Sequence, residues 1–139
     1  MKNSSNFVWM LVAVAGGLFA AGCTSSRDVE VSGEVSAPAT TTVQGPIMLD
    51  FLDVIGDDEG SKSVHQATLP ALGSFQETVE LEGHGVRVRA IDDRNGDGKC
   101  TDGEAWAEVE AAVGDDDTVE PVKLELTNAP CALSDDSEG

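Results

Sequence analysis

Val86-Arg87-Val88-Arg89-Ala90-Ile91 runs without a break into Asp92-Asp93-Arg94-Asn95-Gly96-Asp97-Gly98-Lys99-Cys100-Thr101-Asp102-Gly103-Glu104, and the reading of that junction decides the fold. The first six residues alternate, with β-branched side chains at Val86, Val88 and Ile91. A period of two is the signature of a half-buried strand, whereas a helix repeats its apolar positions at three and four. The acidic loop that follows is therefore entered from a strand and not from a helix.

Working outward, the same alternation recurs on both sides. Val29-Glu30-Val31-Ser32-Gly33-Glu34-Val35 sets its valines on one face, and Ala37 to Thr42 reads as a loop or an edge. Ile47 to Ile55 is the most apolar segment, with Ile47, Leu49 and Phe51 alternating against Met48 and Asp50, and it stops at the polar turn Gly56-Asp57-Asp58-Glu59-Gly60. Val64 to Leu69 is a weaker strand closed by Pro70. Gly73 to Leu81 follows, with Phe75, Val79 and Leu81 on one face provided that Glu77 is tolerated at an edge. Beyond the acidic loop, Ala105 to Ala111 alternates again, although its Ala and Glu content also suits a helix. Val119 to Leu126 ends the set, with Val122, Leu124 and Leu126 inward and Lys123 and Glu125 outward. Seven short strands with turns between them predict one all-β domain, a single antiparallel β-sandwich over residues 28–131. Their order resembles transthyretin-like and carboxypeptidase-regulatory-like sandwich modules, through the strand rhythm and Gly73-Ser74-Phe75. The resemblance implies a fold and carries no functional residue.

The loop 93–104 fits the calcium pattern D-x-[DN]-x-[DN]-G-x5-E at every defined position. Asp93, Asn95 and Asp97 stand at positions 1, 3 and 5, where side-chain oxygens converge, and Gly98 stands at the sharp turn of position 6. Lys99 offers its backbone carbonyl, Thr101 a hydroxyl or a bridging water, and Glu104 two carboxylate oxygens. A hard cation such as Ca²⁺, which takes six to eight oxygens, finds them within one loop. The competing reading is an acidic turn, because Asn, Gly and Asp favour turns without any metal. The twelve residues resemble the EF-hand loop. Two features depart from that family: the entering strand, and Cys100 at position 8, usually an aliphatic residue that pairs with a second loop. No second loop occurs in the chain.

At the start of the chain, Met1-Lys2 precedes an apolar stretch from Phe7 to Ala21 that ends Ala20-Ala21-Gly22-Cys23. Fifteen helical residues reach about 22 Å, short of the ~30 Å hydrocarbon core, so the stretch suits a secretory signal better than a permanent span. The ending resembles the bacterial lipoprotein box, which implies a signal peptide over 1–22, lipidation of Cys23 and a short tether over 23–27. Ala20 where Leu is commoner, and a single Lys at the start, depart from that pattern. Cleavage of an ordinary secreted protein near Cys23 is the alternative. The resemblance implies a protein of the bacterial cell envelope, lipid-anchored and extracytoplasmic, on the outer membrane in a Gram-negative cell because Thr24 and not Asp follows Cys23.

Cleavage would leave seven basic side chains against all 26 acids, a formal charge of −19. That charge repels nucleic acid and anionic headgroups and leaves soluble cations and basic proteins as better partners. Runs such as Asp115-Asp116-Asp117 need no explanation beyond solvation. In an oxidising envelope Cys100 and Cys131 are the one pair left to form an intramolecular disulfide, worth roughly 3–4 kcal/mol in the chain-entropy model. Zinc is the competing reading, but two cysteines without a nearby pair of histidines make a weak site for it. Only Phe51, Phe75 and Trp106 supply aromatic bulk after Cys23, so a bridge and a metal would reinforce a core of Val, Leu and Ile. Residues 132–139 read as a disordered acidic tail.

Nothing in the sequence points to catalysis. His65 and His84 are isolated, and G-x-S-x-G, P-loop, H-E-x-x-H and C-x-x-C patterns are absent. The expectation is a non-catalytic interaction module facing an envelope protein or glycan. The alternative is a purely structural envelope protein in which calcium only stabilises the fold. An exposed Trp106 favours the first and a buried one the second.

Overall fold

The alternating run that opens the acidic loop is strand β5, Gly85–Asp92 in the computed structural model, and six further strands surround it. These are β1 (Arg27–Ser36), β2 (Ile47–Val54), β3 (Ser61–Leu69), β4 (Gly73–Leu81), β6 (Trp106–Ala112) and β7 (Val122–Glu125). The structure describes residues 26–55, 61–101 and 103–131. The expected signal segment, Cys23 and Thr24, the turn at 56–60, Asp102 and the acidic tail 132–139 lie outside them.

Two sheets form an all-β sandwich, one ordered β4-β1-β7 and the other β3-β2-β5-β6. Every strand expected from alternation is present, and the Ala/Glu-rich segment after the loop is strand β6, paired antiparallel to β5 from Ile91↔Trp106 to Gly85↔Ala112. Helix propensity there yields to the free edge of β5, which offers unpaired backbone donors and acceptors.

One pairing departs from the antiparallel expectation. β7 lies parallel to β1, with Gly33↔Val122 and Ser36↔Glu125 in register. The cause is the chain path. β6 ends beside His84, whose carbonyl accepts the Val113 N–H at 2.9 Å, and the chain then crosses to the other sheet through a turn at Asp115–Asp117. β7 thus starts from the same end of the sandwich as β1 and must run alongside it.

The inward faces meet in one core. β1 contributes Val29, Val31 and Val35, β2 Ile47, Leu49 and Phe51, β4 Phe75, Val79 and Leu81, β5 Val86, Val88 and Ala90, and the last strand and its flanks Val119, Val122, Leu124 and Leu126. Phe51 sits at the centre, with its ring 5.9 Å from that of Phe75 across the sheets and 5.6 Å from His65. Glu77 faces inward with Phe75 and Val79, as its position requires, because β4 is an edge strand and His65 Nε2 of edge strand β3 meets its carboxylate at 2.8 Å. The pair closes the seam between the two sheets.

The outer face of the larger sheet is wired across its strands. The Ser63 hydroxyl donates to Asp50, Asp50 stands opposite Arg89, and Arg89 Nε donates to Glu108 at 2.7 Å. One register step away, Arg87 bridges the Ser61 hydroxyl and Glu110 at 2.9 and 2.7 Å.

The two ends of the sandwich differ. At one end the chain enters at Arg27, which donates to the Gly83 carbonyl at 2.9 Å. Arg27 Nε also lies 2.8 Å from Asp117 Oδ1, but its N–H is not aimed at that oxygen, so the contact is an ion pair without a hydrogen bond. Asp53, fully buried at the same end, accepts the backbone N–H groups of Glu82 and Gly83 at 2.7 and 2.9 Å. Gly83 has to be glycine, because a Cβ there would stand 2.0 Å from the Val54 carbonyl oxygen. The acidic loop occupies the other end, since Ile47 of β2 pairs with Asp92 where β5 runs out.

Candidate metal centre

β5 delivers the chain into the acidic loop through Asp92, whose side chain is completely buried. That carboxylate accepts N–H groups from Gln44 at 3.0 Å and Gly45 at 2.8 Å, and the Arg94 guanidinium at 3.1 Å. Arg94 reaches on to the Thr42 carbonyl at 2.9 Å. The residues before β2 are thereby fastened to the base of the loop, and the Asp92 N–H bond to the Ala105 carbonyl at 2.8 Å closes that base. A buried carboxylate is costly unless its oxygens are met by donors, and here three donors meet them.

Within the loop, backbone N–H groups orient the side chains of Asp93, Asn95, Asp97 and Glu104. Asp93 accepts Gly96 through one oxygen at 3.0 Å and Gly98 through the other at 2.8 Å. Asn95 Oδ1 accepts Asp97 N–H at 3.1 Å, and Asp97 Oδ1 accepts Lys99 N–H at 2.9 Å. Glu104, 4% exposed, spans the loop, taking the Arg94 N–H at 3.0 Å and the Thr101 N–H at 3.1 Å. Side-chain bonds to the chain two or more residues on are the local chemistry of Asp and Asn in turns. Gly98 has φ of +72°, a left-handed conformation that L side chains resist, and a Cβ there would reach the sulfur of Met48 on the outer face of β2.

The result is convergence. One carboxylate oxygen from each of Asp93, Asp97 and Glu104 lies within 4.8 Å of the others, and this cluster can hold a metal ion. Three like charges at that spacing repel one another, and a cation between them removes the repulsion. An N–H donor leaves each carboxylate oxygen a further lone pair for coordination. The cluster brings together the first, middle and last acids of the sequence pattern. Asn95, Lys99 and Thr101 lie on the same loop, and all three are exposed.

Cys100 and Cys131 are joined by a disulfide with a Cα–Cα distance of 6.0 Å. The Cys131 sulfur lies 3.4 Å from the Thr101 carbonyl oxygen, a close contact and not a hydrogen bond, because a bridged sulfur carries no proton. The segment 127–131 returns beside β6: Trp106 and Thr127 exchange backbone bonds at 3.0 and 2.9 Å, and the Trp106 indole N–H donates to the Ala129 carbonyl at 2.9 Å. Trp106 is half-buried, so its ring is neither a free platform nor a core residue.

Asp92 was not among the residues expected to matter at this site. Its neighbour Asp93 fills the first position of the pattern, and Asp92 looks like one more surface acid. The signal that separates it is parity: Asp92 follows Val86, Val88 and Ala90 on the inward face of β5.

A cleft of about 320 Å³ adjoins the loop, between Asp93, Gly96 and Gly98 on one side and Met48, Gln66 and Thr68 of β2 and β3 on the other. Comparison with protein-family models, with curated proteins and with solved structures finds no match for this chain.

Proposed function

We propose that this chain is a lipid-anchored, extracytoplasmic protein of the bacterial envelope whose loop 93–104 binds Ca²⁺ and which acts, without catalysis, as an interaction module. The observation that carries the metal reading is the convergence of Asp93, Asp97 and Glu104 within 4.8 Å, with Glu104 buried beneath the loop. Oxygen donors spread along one loop suit Ca²⁺, which tolerates irregular coordination, whereas Mg²⁺ asks for tighter octahedral geometry. Asn95, the Lys99 carbonyl and Thr101 would complete the oxygen set.

Anchoring rests on Ala20-Ala21-Gly22-Cys23 alone. The two ends of the sandwich add to the module reading. The described chain begins next to Arg27 at one end, and the acidic loop and its cleft lie at the other. A tether at Cys23 would therefore hold the loop end away from the bilayer, towards an envelope protein or glycan.

The test is calorimetric titration of the mature domain with calcium, beside melting curves with calcium or chelator. We expect a dissociation constant of ~10⁻⁴–10⁻³ M, the range of extracellular sites. At calcium tenfold above that constant, linkage adds only ~1.4 kcal/mol to stability. Absence of both heat and a melting shift at several millimolar calcium would reduce the loop to an acidic turn.

A second reading, a purely structural role for the metal, is favoured by Trp106. Its indole N–H is engaged by Ala129 and its ring is half-buried, which suits a strut better than a stacking surface for sugars. Retention of an envelope partner on the immobilised domain in calcium but not in chelator would decide for the module.

A further inference from the structure

We infer that the Cys100–Cys131 bridge is a positioning device for the metal loop: its closure raises the loop's affinity for its cation, and the bound cation in turn protects the bridge from reduction. This rests on the reading of loop 93–104 as a cation site. The first half of the loop has its own footing, because Asp92 and Arg94 tie its base to Thr42, Gln44 and Gly45. The second half is held differently. The Lys99 and Thr101 N–H groups run to Asp97 and Glu104, which are the carboxylates that would face the cation. Cys100 stands between those two residues, and its bridge is the covalent contact that joins this half-loop to a separate element. That element is itself fixed, through the backbone pairing of Thr127 with Trp106 and the indole bond to Ala129.

A chain segment that must be ordered when its ligand arrives lowers the affinity by the entropy it loses. With the bridge closed, residues 99–101 are confined beforehand; with it open, the cation must confine them. Coupling of this kind is reciprocal, so whatever factor the bridge adds to cation affinity, the cation adds to the stability of the bridge. Reduction is a two-electron step. A small dithiol gives two electrons and two protons to the bridge, Cys100 and Cys131 become thiols, and the sulfurs of the reagent close into their own disulfide.

Two measurements on the mature chain test the inference. In the first, the calcium dissociation constant of the bridged protein is compared with that of Cys100→Ser/Cys131→Ser, well below either melting temperature. We expect binding about tenfold weaker without the bridge, near the lower end of couplings between linked sites. In the second, the wild-type bridge is titrated with a dithiol–disulfide buffer, with and without saturating calcium. The midpoint should shift by the same factor, about 30 mV for a tenfold change in a two-electron couple. A merely structural bridge would lower the melting temperature of the variant and leave both readouts unmoved. Equal calcium constants in folded bridged and unbridged protein, or a midpoint indifferent to calcium, overturns the inference. If the double variant does not fold, the midpoint in the wild type decides alone. If the bridged protein binds no calcium, the cation reading and this inference fall together; if it binds and the couplings are absent, only this inference falls.

Discussion

Glu104 is held from two directions, by Arg94 N–H on one oxygen and Thr101 N–H on the other, so its carboxylate is aimed before any cation arrives. Glu104→Gln keeps the shape and removes the charge together with one of the two coordinating oxygens. We expect it to weaken calcium binding most of any loop substitution, by at least about tenfold, while Thr101→Ala, which removes a hydroxyl that water can replace, should weaken it least. Titration of the two variants side by side checks the order, and a larger loss in Thr101→Ala would contradict the assigned roles. A second carboxylate answers to pH. The Thr118 hydroxyl donates to Asp116 at 2.6 Å and holds that carboxyl below the ordinary value for Asp against an opposing effect of burial, with backbone N–H groups as lesser contributors. A depressed carboxyl adds stability above its unfolded-state value, and the contribution disappears as pH falls through the folded-state value. Thr118→Val should raise the Asp116 titration midpoint towards that of a free Asp, read by NMR of the side-chain carbonyl; an unmoved midpoint would remove the hydroxyl as the cause.

At the scale of elements, the sequence was legible wherever burial is one-sided. Val29, Val31 and Val35, or Val122, Leu124 and Leu126, show a period of two because one face meets the core and the other meets water, and each such run is a strand. The same rule foresaw the difficulty at Glu77, whose partner His65 comes from a different sheet and so leaves no local trace. What remained hidden is the pairing of β7 with β1, because a parallel neighbour depends on the path of the whole chain and not on any one segment. Asp92 was hidden for a related reason: its donors, Gln44 and Gly45, are distant in sequence. We expect Asp92→Ala to cost about 1–3 kcal/mol of stability, because it leaves backbone donors at the loop base without their acceptor. Denaturant unfolding in chelator measures this without any metal contribution. A loss below a few tenths of a kcal/mol would mean that water replaces the clamp.

The whole molecule has direction. β2 runs from the acidic loop at Ile47 to the Asp53 clamp near Arg27, so the two ends stand about 20 Å apart at ~3.3 Å per residue. If Cys23 carries lipid, only Thr24 to Ser26 separates the anchor from the near end. The outer face of the smaller sheet bears Asp28, Glu30, Glu34, Glu80 and Glu125 against Lys123, and such a face is repelled by anionic headgroups. Both features favour an upright domain with its loop end outermost. Cys23→Ser should abolish acylation and shift the protein from the membrane fraction to the soluble one; a wild-type N-terminus shown by mass spectrometry to be unmodified would remove the anchor. Orientation has its own probe, because Trp106 is the sole tryptophan after Cys23 and lies at the loop end. In vesicles carrying the lipidated protein and a headgroup-level quencher, Trp106 emission should match that in vesicles without the quencher. Strong quenching would place the loop against the bilayer and exclude an outward-facing partner.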